Sequence, residues 1–254
     1  MQVYPSYQKQ IFADGLPVED GHQHVALHTA VKYAELEVVQ FLINEDENTL
    51  LKQDSLWEIP LHKACREGRL DIIELLLTKN LDQLLVKGRD GCIPLHTAIN
   101  CASLDIVQCL VEADKSTLVK SGKHMEVALH KACRDGKVDI VKYIVSRSPE
   151  SVLIEDYFER IPSHMAVEYA SLQVVKVFVA TDETLTKRDY FGNVALHIAA
   201  GRASLEVVQY LVEENETTLT MVGSRREVAL HKACRACKFD VIEYLMNKNM
   251  AAVT

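Results

Sequence analysis

Apolar and polar positions along this 254-residue chain recur in two kinds of block. The first is a Leu-His pair with Ala two residues beyond the His. It occurs at His28, His62, His96, His130, His164, His197 and His231, with Ser163 in place of Leu before His164. The spacings are 34, 34, 34, 34, 33 and 34 residues. The second block carries its apolar residues on one helical face. It reads LEVVQFLI at 36–43, LDIIELLL at 70–77, LDIVQCLV at 104–111, VDIVKYIV at 138–145, LQVVKVFV at 172–179, LEVVQYLV at 205–212 and FDVIEYLM at 239–246. Seven such blocks in register predict seven units of two short helices each. Neither helix is long enough to stand alone in water, so the units must stack to bury a shared core.

Within a unit the punctuation is legible. Pro60 suits the first position of a helix, where its missing N–H costs nothing. Gly68 suits the left-handed residue that closes one. Asp71 sits in the first turn of the second helix, where an acid complements the helix dipole, and Glu37, Asp105, Asp139, Glu206 and Asp240 take the same place. The connection to the next unit holds one apolar anchor: Leu50, Leu84, Leu118, Val152, Leu185 and Leu219. The one-residue deletion falls at 180–184, in a loop, which leaves the helical faces in register. Predicted unit boundaries are 20–53, 54–87, 88–121, 122–155, 156–188, 189–222 and 223–254, after a non-repeat segment 1–19 that caps the array or is disordered.

The units come in two flavours. The second, fourth and seventh read HKACR, at 62–66, 130–134 and 231–235. The others place Ala34, Ala102, Ala170 and Ala203 where a turn Gly stands at Gly68 and Gly136. If those alanines are left-handed, each costs on the order of 1 kcal/mol.

Leu-His-x-Ala opening a helix–turn–helix of this period resembles the ankyrin repeat, most closely at IPLHKA, 59–64, and IPLHTA, 93–98. The resemblance spans about residues 20–250. It implies an all-α solenoid of about seven units with hairpin-like tips and a concave face that holds a protein partner. Where the family has Thr and Pro, this chain has Ile or Val at 25, 59, 93, 127, 161, 194 and 228, and Ala at 26, 128, 195 and 229. The family's Thr–His hydrogen bond is therefore expected to be missing. The tetratricopeptide repeat shares the period but lacks the fixed Leu-His pair.

Composition narrows the function. The net charge of −8 argues against non-specific nucleic-acid binding. The N-terminus lacks the basic and apolar regions of a secretory signal. Seven scattered Cys fit a reduced intracellular compartment, cytoplasmic or nuclear. No apolar run approaches the roughly 18 residues of a membrane span.

Candidate chemistry is sparse. One repeat His per unit, roughly 10 Å apart, is too dispersed for shared metal ligation and is expected to bond to backbone. His22, His24 and His28 are denser, but no acid or Cys completes a site. Cys234 and Cys237 form a C-x-x-C, in which Cys234 repeats the slot of Cys65 and Cys133 and Cys237 replaces the turn Gly. No phosphate-binding or nucleophile motif is present. We therefore expect no enzyme activity, cofactor, metal or small-molecule substrate. Two surface features point to a partner. Asp156-Tyr157-Phe158 and Asp189-Tyr190-Phe191 repeat on adjacent tips, and with Arg160, Tyr169 and Arg202 they form an aromatic and Arg cluster. Alternatively, Phe158 and Phe191 fold inward. The inner face is basic through Lys63, Arg66, Arg89, Lys131 and Arg134, with Lys232 and Arg235 in the last unit, which suits an acidic partner surface. Alternatively, these cations pair with Glu67, Asp135 and acids of the second helices. Trp57 is either a cover or an anchor. The expectation is a monomeric, non-catalytic interaction module, the alternative being a targeting or regulatory arm of a larger multidomain enzyme.

Overall fold

The computed structural model describes residues 25–101, 103–169, 172–178 and 182–251; the segment 1–19 and residues His22 and His24 lie outside them. The first helix of each unit is, in order, α1 (Ala26–Tyr33), α3 (Pro60–Glu67), α5 (Pro94–Cys101), α7 (Ala128–Arg134), α9 (Pro162–Tyr169), α12 (Ala195–Arg202) and α14 (Ala229–Arg235). The second helices are α2 (Leu36–Glu45), α4 (Leu70–Lys79), α6 (Leu104–Ala113), α8 (Val138–Arg147), α10 (Leu172–Phe178), α13 (Leu205–Glu214) and α15 (Phe239–Ala251). The described residues contain no strand.

Neighbouring first helices approach one another more closely than neighbouring second helices do. Small residues permit it: Ala64, Ala98, Ala132, Ala166, Ala199 and Ala233 are all fully buried. The stack therefore bends toward its first helices, and that side is concave. Between the layers, Ile72, Ile73, Val107, Leu110, Val141, Ile144, Val208 and Leu211 continue one core from unit to unit.

The repeat histidine serves both its own unit and the next. The residue before each first helix is Val or Ile, with no hydroxyl to cap it. Its N–H is instead accepted by Nδ1 of the His at the third helical position, at 3.1–3.3 Å in all seven units. This is one half of a capping box, with His in the place of Glu or Gln. Nε2 then donates to a carbonyl of the following unit for His28, His62, His130 and His197, namely Glu58 (3.0 Å), Cys92 (3.1 Å), Arg160 (2.8 Å) and Glu227 (3.0 Å), whereas His164 donates to Lys187 (3.1 Å) at the end of its own, shorter unit. The histidines bond to backbone, as the spacing argument anticipates, and the missing Thr is bypassed rather than left as a gap.

The turns between helices correct one expectation. Gly68 and Gly136 are left-handed, with φ of 73° and 66°, and the next residue donates back across the helix end in a Schellman pattern (Arg69 to Ala64, 3.1 Å; Lys137 to Ala132, 3.0 Å). Ala34 and Ala203, however, are extended, at φ −97°, ψ 164° and φ −82°, ψ 171°. They carry no left-handed strain. The chain opens through two extended residues, and the neighbouring unit satisfies the exposed carbonyl: Arg69 donates to Ala34 O (3.2 Å) and Lys238 to Ala203 O. In both of these cases the cation comes from a following HKACR unit, the second for the first and the seventh for the sixth. Ala102 and Ala170 lie outside the described residues.

Cys237 does occupy the glycine slot, at φ 54°. Cys237→Gly should therefore stabilise the fold by about 1 kcal/mol, read as an increased urea midpoint. An unchanged or lowered midpoint would contradict the strain assigned to this residue.

Each connection between units is a 3-10 turn opened by Asp46, Asn80, Asp114 or Asn215, whose side chain accepts from the N–H two residues on, or by Ser148 in the fourth unit. Its anchor is buried at Leu50, Leu84, Leu118 and Leu219, while Val152 is half-buried beside the buried Ser151. The fifth unit, one residue shorter, has the α-helix α11 (Asp182–Thr186) in this place and still buries Leu185.

Candidate functional site

The tips are tied together by backbone. Each closes on itself through an N–H to a carbonyl four residues on, as from Asp54 to Glu58 (3.0 Å) and from Asp156 to Arg160 (2.9 Å). Five of the six described tips are also linked to a neighbour: Arg89 N–H donates to Leu56 O, Tyr157 to His124 O and Tyr190 to Phe158 O, at 2.8–2.9 Å. The tips therefore form a rigid rim. Gly91 and Gly192 supply its left-handed residue in two units, whereas Trp57 and Glu159 supply it in two others. Trp57 is largely exposed among the described residues.

On that rim Tyr157 and Tyr190 are each 66% exposed and Phe191 55%. Each Tyr meets its adjacent Phe edge to face, with centroids 5.3 and 5.4 Å apart. Phe158 is half-buried under the Arg160 guanidinium, 5.0 Å from its ring. Of the two rings considered for inward folding, Phe158 does so partly and Phe191 does not. Tyr169 is exposed at the end of α9.

The cations of the inner face are mostly neutralised, but not by the acids expected. Arg66 is held by Glu58, Arg134 by Glu126 and Arg235 by Glu227, each a tip acid eight residues earlier in the same unit. Lys63 pairs with the buried Asp54 at 2.9 Å. Burial alone would raise the Asp54 carboxyl, but Lys63 and the Glu58 and Leu56 amides outweigh it and hold it below the usual range. Glu67 does take a cation, Lys32 of the preceding unit, at 3.7 Å. Arg160 bridges Asp156 (2.7 Å) and Glu168 (3.6 Å), and Glu168 also holds Arg202.

Two grooves open on the concave side. One, of about 340 Å³, lies over the third unit between Arg66, Arg89, Asn100, Lys131 and Arg134. The other, of about 390 Å³, lies over the sixth unit between Arg160, Phe191, Ile198, Gly201, Arg202 and Lys232. Seven of the twelve residues singled out in the sequence thus line a groove: Arg66, Arg89, Lys131 and Arg134 in the first, with Arg160, Phe191 and Arg202 in the second; Phe158 is stacked on Arg160 beside the second. Lys63 sits outside, engaged with Asp54, while Tyr157, Tyr169 and Tyr190 stand on the rim or helix end.

Nothing in either groove assembles a nucleophile, base and oxyanion donor. Among the described residues no group of three or more His, Cys, Asp or Glu could hold a metal ion. Cys65 and Cys133 are buried, and burial pushes the Cys133 thiol well up; Cys234, at the same slot in the last unit, is exposed.

A family model for ankyrin repeats matches residues 27–121 and 163–254. The chain belongs to the ankyrin repeat family. The stretch between the two matches is the fourth unit and the start of the fifth, and α7 and α8 there have the same two-helix form and the same His130 bonds as the other ankyrin repeats. The crystal structure of the ankyrin repeat domain of Bcl-3, described as a unique member of the IkappaB protein family, has the same fold: TM-score 0.76 at 24% identity, over 89% of this chain and 99% of that one. Curated protein sequences return no match. Ankyrin repeats are a protein-interaction fold, and no helix among the described residues is long and apolar enough to cross a membrane.

Proposed function

We propose that this ankyrin array is a non-catalytic interaction module that holds one protein partner on its concave side. The observation that carries this reading is the groove over the sixth unit. Ile198 and the bare backbone of Gly201 form an apolar floor, with Phe191 and Arg202 exposed at its edge. Exposed aromatic and Arg side chains around a depression fit an interface hot spot. The rigid rim keeps them in place without a partner, which lowers the ordering cost of binding. The basic residues of the face favour an acidic partner over nucleic acid, given the overall charge of −8. The free cysteines suit a reduced intracellular compartment, and the array acts as a monomer.

The test is affinity capture with wild type and with Tyr157→Ala, Phe158→Ala, Tyr190→Ala and Phe191→Ala combined, after circular dichroism shows both folded. A protein held by wild type and lost by the variant is expected. Equal capture by both would remove the aromatic rim from the site.

A further inference from the structure

The two grooves are copies of one another within the chain. Residues of the third and fourth units recur 101 positions later: Lys131 as Lys232, Arg134 as Arg235, Glu126 as Glu227. Their floors have diverged in opposite directions. Thr97 and Asn100 in the first groove correspond to Ile198 and Gly201 in the second, and Asp90 corresponds to Phe191. The first floor carries polar side chains at the positions where the second carries an apolar one or none.

The first groove also has a surplus of positive charge. Lys63 has Asp54 at 2.9 Å and Lys232 has Glu227 at 3.4 Å, but their counterpart Lys131 has no acid among the described residues. The reason is local: the tip of the fourth unit begins with Gly122 where the second has Asp54, and Glu126 is taken by Arg134. Arg89, exposed on the opposite wall, likewise has no acid. His96 lines the same groove. Its Nδ1 accepts from Ile93 N–H, so Nε2 carries the proton and faces the Glu126 carbonyl, as the other repeat His face theirs. A half-buried Lys131 and an exposed Arg89, facing each other across the groove with no acid on either among the described residues, favour an incoming anion.

We propose that the groove over the third unit is a second docking site, built for a carboxylate side chain between Lys131 and Arg89, and that one extended segment of a partner fills both grooves. This rests on the interaction-module reading above. Three units at roughly 10 Å each separate the grooves by about 30 Å, and an extended chain covers that in about nine residues. The partner segment therefore carries an acidic residue and a large apolar residue about nine positions apart.

A random-peptide display library selected on the full chain tests this, followed by fluorescence anisotropy of an enriched peptide. Binding is compared for wild type, Lys131→Gln with Arg89→Gln, and Gly201→Trp, which fills the second groove. Enriched peptides should pair an acid with an apolar residue at that spacing. The Lys131/Arg89 variant should weaken binding about ten-fold, with an unchanged thermal midpoint. Neutralising the peptide's acid should cost wild type the same factor and the variant nothing. Loss only in Gly201→Trp would overturn the second site and leave the interaction module standing. Loss in neither variant, or no enriched peptide, would overturn both.

Discussion

Lowering the pH from 7 to 5 should cost this protein about 4 kcal/mol of folding stability, before its carboxylates begin to protonate in number. The source is the column of repeat histidines. Burial pushes the imidazoles of His96 and His164 down to about 4; Lys131 adds to the effect at His96 and the Glu126 carbonyl opposes it, while Asp189 and the Lys187 carbonyl oppose it at His164. His62, His130 and His197 are lowered in the same direction by the same cause. The hydrogen bonds explain why the neutral form is required: Nδ1 must accept from its own unit, so only one ring nitrogen can carry a proton. In the unfolded chain these groups titrate near 6.5. Between the two values the unfolded state binds more protons, so stability rises with pH across that window. It is fully present above about 6.5 and is lost as pH falls toward 4. For His96 and His164 the change from pH 7 to 5 is on the order of 2 kcal/mol each. Against a usual total of about 5–15 kcal/mol this is a large share. Urea unfolding at both pH values measures it. A midpoint that holds steady down to pH 5 would mean that the imidazoles accept protons in place, and the tautomer assigned to them would be wrong.

Much of this architecture can be read from the chain, and the parts that cannot share a cause. The 34-residue register places every first and second helix, because stacked helices tolerate no drift of their apolar faces. Pro60 and Gly68 stand where local backbone preference puts them, and Cys237 is recognisable by register as filling a glycine slot against that preference. The extended turns at Ala34 and Ala203 escape that logic because the group satisfying each carbonyl lies about 35 residues away, on Arg69 and Lys238. The tip-to-helix ion pairs are written in the sequence as Glu58/Arg66, Glu126/Arg134 and Glu227/Arg235, always eight apart. That spacing is not a helical neighbour distance and draws no notice until the tip is seen to fold back over its own helix. The grooves are the least legible feature, since each needs three units at once and depends on what is missing, a side chain at Gly201 or an acid opposite Lys131.

Removing the imidazole at the centre of the array should be far more damaging than removing it at the last unit. His130 is fully buried and joins two units: it accepts from Val127 N–H at 3.3 Å and donates to Arg160 O at 2.8 Å. His130→Ala strands both backbone groups and leaves a cavity between α7 and α9. A stranded buried polar group costs about 1–3 kcal/mol, and the lost volume adds to it. The expected total is about 3–5 kcal/mol. His231 is exposed and makes only the bond from Val228 N–H, at 3.3 Å, among the described residues. His231→Ala should therefore cost less than about 1 kcal/mol. The central substitution should also change the shape of unfolding. In a linear array stability is a sum of units and of the interfaces between neighbours. Weakening the interface between the fourth and fifth units uncouples two halves that otherwise melt together, so a single urea transition should broaden or split. Equal losses for the two variants would show that the histidine acts as a cap within its own unit and contributes nothing between units. A large loss at His130 with the transition still sharp would place its contribution in the core of the fourth unit rather than in the junction.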